Sequence, residues 1–183
     1  MPEIHLPDPE LTDGVVRLRA PELEDMPDFA RATNDPAVLR WMRMPPGDTT
    51  VDAYRWLGEQ PGRRERGEGM ALLITDARTG QLLGNTSLVH VDWSSARAEL
   101  GYFVASWARG QGVATRALRL LSGWVFDALQ LGRVELLISP ENPPSLRVAE
   151  RAGFTREGLL RSFGVVKGTR HDFWMYSRLP TDP

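Results

Sequence analysis

Two short runs carry residue types and spacings suited to chemistry. In Arg109-Gly110-Gln111-Gly112-Val113-Ala114-Thr115 the glycines stop where an apolar helical periodicity begins. A helix start leaves main-chain N–H groups without intrahelical partners and carries the positive end of the helix dipole, so a glycine-bearing turn there can wrap a diphosphate. Gly110 and Gly112 permit close backbone approach, Ala114 leaves room over the first turn, and Arg109 can add a charge-assisted hydrogen bond. The same glycines would equally serve to turn a tight connection. Position gives the run its meaning, because it follows a predicted strand and opens a predicted helix. It lacks the lysine-bearing second part of a P-loop. The other run, Asn142-Pro143-Pro144-Ser145, also follows a predicted strand. Asn142 suits a helix N-cap and Pro143 the first helical position, so its plainest role is structural.

Several chemistries are excluded or disfavoured. The 183 residues contain no cysteine, which removes disulfides, thiolate nucleophiles and an acyl-enzyme on sulfur. His171 stands alone and is expected to be structural, and no metal site is expected. A formal net charge of -2 with 25% charged residues creates no field that would attract nucleic acid or an anionic membrane. The most apolar stretch, residues 112–131, includes Arg116, Arg119 and Asp127, which a bilayer-spanning helix tolerates poorly. The first twelve residues lack the basic-then-apolar order of a secretory signal, so a cytoplasmic location is expected.

The elements that must position these runs follow from periodicity. With 42% hydrophobic residues the chain can close one core, and a single domain over residues 1–183, with its core at about 15–179, is expected. Residues 15–19 alternate as a short strand behind Asp13-Gly14, and a broken helical segment follows to Trp41. A third helix runs from Thr49 or Thr50 to about Pro61, and residues 63–69 look solvated. Strands at 70–75, 81–91 and 96–104 make an antiparallel meander. An amphipathic helix at 112–129, a strand at 133–139, a helix at 145–152 capped by Gly153, and strands from Phe154 and His171 complete the order β-αα-βββ-α-β-α-ββ. This is an α+β arrangement: a mixed, mostly antiparallel sheet flanked by helices, with one strand-helix-strand crossover inside it.

In this order the two runs resemble the GNAT superfamily of N-acetyltransferases over residues 15–179. Ser145 three residues after Asn142, the Val148-Ala149 pair, Glu99-Leu100-Gly101-Tyr102, Glu157-Gly158 and Asp172 are similar to the branch containing ribosomal-protein N-terminal alanine acetyltransferases. Two departures stand out. Ala149 occupies the place where many members carry a tyrosine that protonates the departing thiolate, and Arg116 replaces a glutamate common in the branch.

The resemblance implies acetyl-CoA as cosubstrate and direct attack of a primary amine on its thioester. The phosphates would lie on Arg109, Gly110, Gln111, Gly112, Val113, Ala114 and Thr115, with Asn142 holding the pantetheine amides. The attacking amine must lose a proton, and Glu99, on the strand face of Gly101 and Phe103, is the candidate base, with Glu135 in reserve. A surface carboxylate paired with an arginine is the competing role for Glu99. An oxyanion would be met by the N–H of Phe103 or Val104 where that strand splays from its neighbour. The thiolate needs only a hydrogen bond, for which Ser145 is the candidate. The acceptor pocket is expected from residues 35–56, with Trp41, Met42, Met44 and Trp56 as lining or core, and from a connection at 161–172. A protein N-terminal α-amine is the leading acceptor. A small-molecule amine is the rival, and a silent acyl-CoA-binding module or an unrelated nucleotide binder are the alternatives from other classes. A homodimer is left open.

Overall fold

The run Met70–Asp76 has no polar alternation at its centre because it is covered on both faces, and it forms the middle of one sheet. The computed structural model describes residues 1–41 and 50–182. In chain order the strands are β1 (Leu11–Thr12), β2 (Val16–Arg19), β3 (Met70–Asp76), β4 (Leu82–Asp92), β5 (Arg97–Val104), β6 (Arg133–Ile138), β7 (Thr155–Val166) and β8 (Thr169–Arg178). The helices are α1 (Met26–Thr33), α2 (Pro36–Trp41), α3 (Thr50–Glu65), α4 (Val113–Leu129) and α5 (Pro143–Arg151). The spatial order is β1-β2-β3-β4-β5-β6-β8-β7, and only the β5/β6 pair, joined through α4, is parallel. The expected α+β sheet with one crossover is borne out.

The helices divide the apolar residues into two layers. On one face α4 presents Leu118, Leu121 and Val125 to Leu18, Leu72, Leu100 and Val134. On the other, Met26 and Phe29 of α1 and Ala53 of α3 pack with Leu73 and Leu82. Each fully buried leucine here contributes about 2 kcal/mol relative to an exposed one. Among the described residues no helix is long and apolar enough to cross a membrane.

Four expectations need correction. The helix expected to end near Pro61 continues to Glu65, and residues 63–69 are not a solvated strip: the N-terminal segment covers them, with Ile4 fully buried and its N–H on the Arg64 carbonyl (3.0 Å). Trp93 also donates its indole N–H to the Gly67 carbonyl (2.8 Å). The helix bounded at 145–152 begins at Pro143, the first helical position that the cap at Asn142 implied, because its first turn needs no N–H from either proline. The connection expected at 161–172 is itself paired strand, the end of β7 and the start of β8 around a two-residue turn. Lys167 and Gly168 both sit in the left-handed region (φ 50° and 81°), the requirement of a two-residue turn between twisted strands. The two-residue β1 was not expected at all.

At the starts of β5 and β6 lies an ion-pair cluster. Glu135, 8% exposed, accepts from Arg133 Nε (2.6 Å) and Arg97 Nη1 (3.2 Å). The other edge of the Arg133 guanidinium meets Glu157 (2.6 and 2.8 Å), which also accepts from the Ser177 hydroxyl (2.6 Å). Arg133 first, then Ser177, hold the Glu157 carboxyl down to about 2. Because the folded value lies below the unfolded one, this contribution is present above about pH 5 and is lost as pH falls toward 2. Glu157→Gln is therefore expected to flatten the loss of melting temperature over that window. A mutant with the same acid slope as the wild type would show that Glu157 does not contribute to it.

Candidate active site

The sheet opens where the crossover begins. β5 and β6 pair only from Arg97–Arg133 to Glu99–Glu135, yet β5 continues to Val104 and β6 to Ile138. A bulge between Leu88 and His90 of β4, opposite Glu99 and Leu100, raises the twist where β5 leaves β6. Along its other edge β5 stays paired with β4 up to Gly84–Val104. Ala105 N–H donates to the Leu83 carbonyl (2.9 Å), and the Gly101 carbonyl accepts from the Thr86 hydroxyl (3.3 Å). Main-chain groups alternate between the two edges of a strand, so the N–H of Phe103 faces β4, and those of Tyr102 and Val104 face the gap. Of the two expected oxyanion donors, Val104 has the right direction and Phe103 does not.

At the head of the gap the chain makes a 3-10 turn, Ser106–Ala108, anchored by the Trp107 indole N–H on the Leu82 carbonyl (2.8 Å). Gly110 and Gly112 follow at φ 76° and 75°, where side chains are strained, and Gly112 caps α4. Arg116 N–H donates to the Gly112 carbonyl (3.1 Å), which leaves the N–H groups of Val113, Ala114 and Thr115 ahead of the first intrahelical bond. The side chains of Val113 and Ala114 are buried, so these residues offer main-chain donors only. The side chains of Arg109 and Gln111 are engaged within the protein. Arg109 donates to Asp35 (2.8 Å), pulling that carboxyl below its ordinary value, and Gln111 donates to the Trp107 carbonyl (3.3 Å). Both brace the loop.

Against this mouth lies a cavity of about 470 Å³ lined by Asp13, Gly112, Thr115, Arg116, Arg119, Leu120 and Arg151. Arg116 pairs with Asp13 (2.6 Å), and Arg119 donates to the Arg151 carbonyl. Three guanidiniums against one carboxylate leave the cavity cationic, beside unpaired N–H groups. Arg119 lies outside both motifs, and Arg151 lies in the run from Asn142 to Phe154 without a role of its own there. The spacing of Arg116 and Arg119 on the polar face of a predicted helix is the sequence signal for Arg119.

Across the gap Asn142 caps α5, its side-chain oxygen accepting from Ser145 N–H (3.2 Å). The structural role is real, and it leaves the amide nitrogen as a donor that no described residue takes up. The Ser145 hydroxyl lies 2.6 Å from the Tyr102 hydroxyl of β5, so this pair spans the parted strands. Burial pushes the Tyr102 phenol up to about 12, partly offset by Ser145. In the sequence Tyr102 belonged to the Glu99-Leu100-Gly101-Tyr102 strand that resembles the branch, with no role of its own. Ala149, at the place of the usual tyrosine, is fully buried and offers no hydroxyl.

Glu99 is half-buried on β5, on the face from which Phe103 packs into the α1/α3 layer. Glu135, level with Glu99 in the strand register, is a poorer candidate because Arg97 and Arg133 hold its carboxylate. Over the gap α2 is held by three contacts: Asp35 to Arg109, Arg40 to Glu141 (3.5 Å), and the Leu39 carbonyl to Lys167 at the hairpin tip (2.8 Å). Trp41 lies under the Arg40 guanidinium (4.6 Å), and Trp56 stacks on Phe29 (4.2 Å), a core role. Met42 and Met44 lie outside the described residues. His171 is exposed on β8.

Comparison with known proteins agrees with this geometry. Residues 16–155 match the acetyltransferase (GNAT) domain family. An uncharacterized N-acetyltransferase, p20, of Bacillus licheniformis is 30% identical over 162 residues, 88% of this chain and 91% of that protein. Two relatives from Escherichia coli (strain K12) bear acceptor names. Spermidine N(1)-acetyltransferase is 26% identical over 84% of this chain and 80% of its own, and ribosomal-protein-serine acetyltransferase is 28% identical over 61% and 62%. Among solved structures, RimJ of Mycobacterium smegmatis in complex with CoA-disulfide superposes with a TM-score of 0.77 at 25% identity, covering 93% of this chain and 86% of that one. With a family match across most of its length and the parted strands, helix mouth and capped α5 that the fold supplies, this chain belongs to the GNAT family of N-acetyltransferases.

Proposed function

We propose that this protein moves the acetyl group of acetyl-CoA to the α-amine of a polypeptide N-terminus, in the cytoplasm. The observation that supports this most is the run of unpaired N–H groups at the start of α4, beside a cationic cavity and at the head of a gap whose far side offers Asn142. A coenzyme with its phosphates on Gly112–Thr115 and the Arg119 cavity would lay its pantetheine arm along the gap, with the Asn142 amide donating to it. RimJ of Mycobacterium smegmatis, solved in complex with CoA-disulfide, supports coenzyme A as the ligand class. The amine nitrogen attacks the thioester carbon while Glu99, directly or through water, takes its proton. Val104 N–H meets the oxyanion. As the C–S bond breaks, the thiolate, whose conjugate acid has a pKa of about 8.5, needs only a hydrogen bond from Ser145.

The acceptor class is argued from charge. The hairpin that reaches α2 carries Arg161, Lys167 and Arg170 against Asp172. A polycation such as spermidine would meet like charge there, whereas a peptide terminus brings one amine and can bring carboxylates. The ribosomal-protein relative supports the first acceptor and the spermidine relative the second. Thiol release should be measured with acetyl-CoA and a panel of N-terminal peptides, spermidine and free amino acids. Peptides are expected to give the highest kcat/KM. A higher value for spermidine would overturn the acceptor assignment, and tight binding of acetyl-CoA with no thiol released by any amine would leave a silent binding module.

A further inference from the structure

We infer that Tyr102 is a positioning residue of the transfer reaction, donating its phenol hydrogen to the Ser145 oxygen so that the Ser145 hydrogen is turned into the gap toward the thioester sulfur. The inference rests on the function proposed above and adds a residue to it.

The geometry leaves little choice of direction. Among the described residues the Tyr102 oxygen has two hydrogen-bond neighbours, the Ser145 hydroxyl at 2.6 Å and the Ser145 carbonyl at 3.5 Å. Both can accept, and only the first is close enough for a good hydrogen bond. A partly buried phenol that keeps its proton must place it somewhere, and the Ser145 oxygen is the acceptor in reach. Burial holds that proton on Tyr102 well above neutral pH, so the donor does not switch off. Once the Ser145 oxygen accepts, its own hydrogen cannot return to Tyr102 and is free to point elsewhere.

The other contacts hold both partners still. Ser145 lies in the first turn of α5, its N–H tied to Asn142, and Tyr102 stands on β5, which keeps its ladder with β4 after β6 has left. The pair is thus a bridge between the two lips of the gap. With Ala149 fully buried and lacking a hydroxyl, Ser145 has no tyrosine on its own helix to replace it. A serine free to rotate would spend part of its time with its hydrogen on solvent or on a main-chain carbonyl of its own helix. Tyr102 removes those alternatives before the thiolate forms. No proton leaves Tyr102 in this scheme. Ser145 lends a hydrogen bond, and CoA is released as thiolate or thiol according to the solvent pH.

The test is a double-mutant cycle on the full chain, using whichever amine the wild type acetylates. Tyr102→Phe keeps the ring and removes only the hydroxyl. It is expected to lower kcat about tenfold, the size of one hydrogen bond to a developing charge, with KM for acetyl-CoA within about twofold. Ser145→Ala is expected to show a similar loss, and the double variant to be no worse than Ser145→Ala alone. A merely structural tyrosine would instead lower the melting temperature and slow the Ser145→Ala enzyme by a further, independent factor. That additive result, or a Tyr102→Phe enzyme with wild-type kcat, overturns the inference. Should phenylalanine not fold, Tyr102→Met carries the same expectations. A wild type that acetylates none of the amines sinks the proposed function. A working wild type with an unaffected Tyr102→Phe sinks only the role given to Tyr102.

Discussion

Gly112→Trp is expected to weaken acetyl-CoA binding by at least about 100-fold while the protein still folds. Gly112 sits at φ 75° with nothing within 4 Å of where its Cβ would be, so an indole would project into the open space of the helix mouth rather than into protein. There it would cover the N–H groups of Val113–Thr115. Losing two hydrogen bonds to a charged phosphate at about 1.5–3 kcal/mol each corresponds to roughly 10²–10⁴ in affinity. Gly112→Ala separates this from backbone strain. It meets the same positive φ, costing about 1–2 kcal/mol of stability, but adds only a methyl group to empty space. Calorimetric titration should find the alanine variant within about fivefold of wild type, and both variants should melt earlier by a similar amount. Unchanged affinity in the tryptophan variant would mean that the phosphates bind elsewhere.

The second large effect is expected from Glu99→Gln, a loss of kcat of about 10²–10³ near neutral pH with KM for acetyl-CoA unchanged. An α-amine with a pKa of about 8 is mostly protonated at pH 7, so a base is needed there and becomes dispensable as the amine deprotonates by itself. The deficit should therefore narrow with rising pH. Full activity at neutral pH, or a deficit of constant size, would move the proton acceptor elsewhere. Glu135→Gln is the contrast. Its carboxylate lies between Arg97 and Arg133, so its removal should lower the melting temperature and leave the shape of the pH profile intact.

The local parts of the site were the readable ones. The loop from Arg109 to Thr115 and the cap at Asn142 depend on conformations that a few neighbouring residues impose, such as positive φ at Gly110 and Gly112 and prolines in the first turn of α5. Where expectation and structure part, a distant segment intervenes. Ile4 comes from the far end of the chain to cover residues 63–69, and Asp35 takes the Arg109 guanidinium across 74 positions of sequence. Lys167-Gly168 contains a turn signal, but the extent of strand on either side of it, from 161 to 172, is fixed only by the pairing of β7 with β8.

The sequence alone determined the order of strands and helices apart from the two-residue β1, the glycine turn ahead of α4 and the asparagine cap of α5, because periodicity, glycine and proline act over a few residues. Tertiary structure decided the rest of the candidate site. It turned the N–H of Val104, and not that of Phe103, into the gap, tied Glu135 into an ion-pair cluster, gathered Arg119 and Arg151 at the helix mouth, and brought Tyr102 to Ser145 across 43 positions. Each of these depends on which strand edge or helix face meets which other, and that is set by the packing of the two layers on one sheet rather than by any local run of residues.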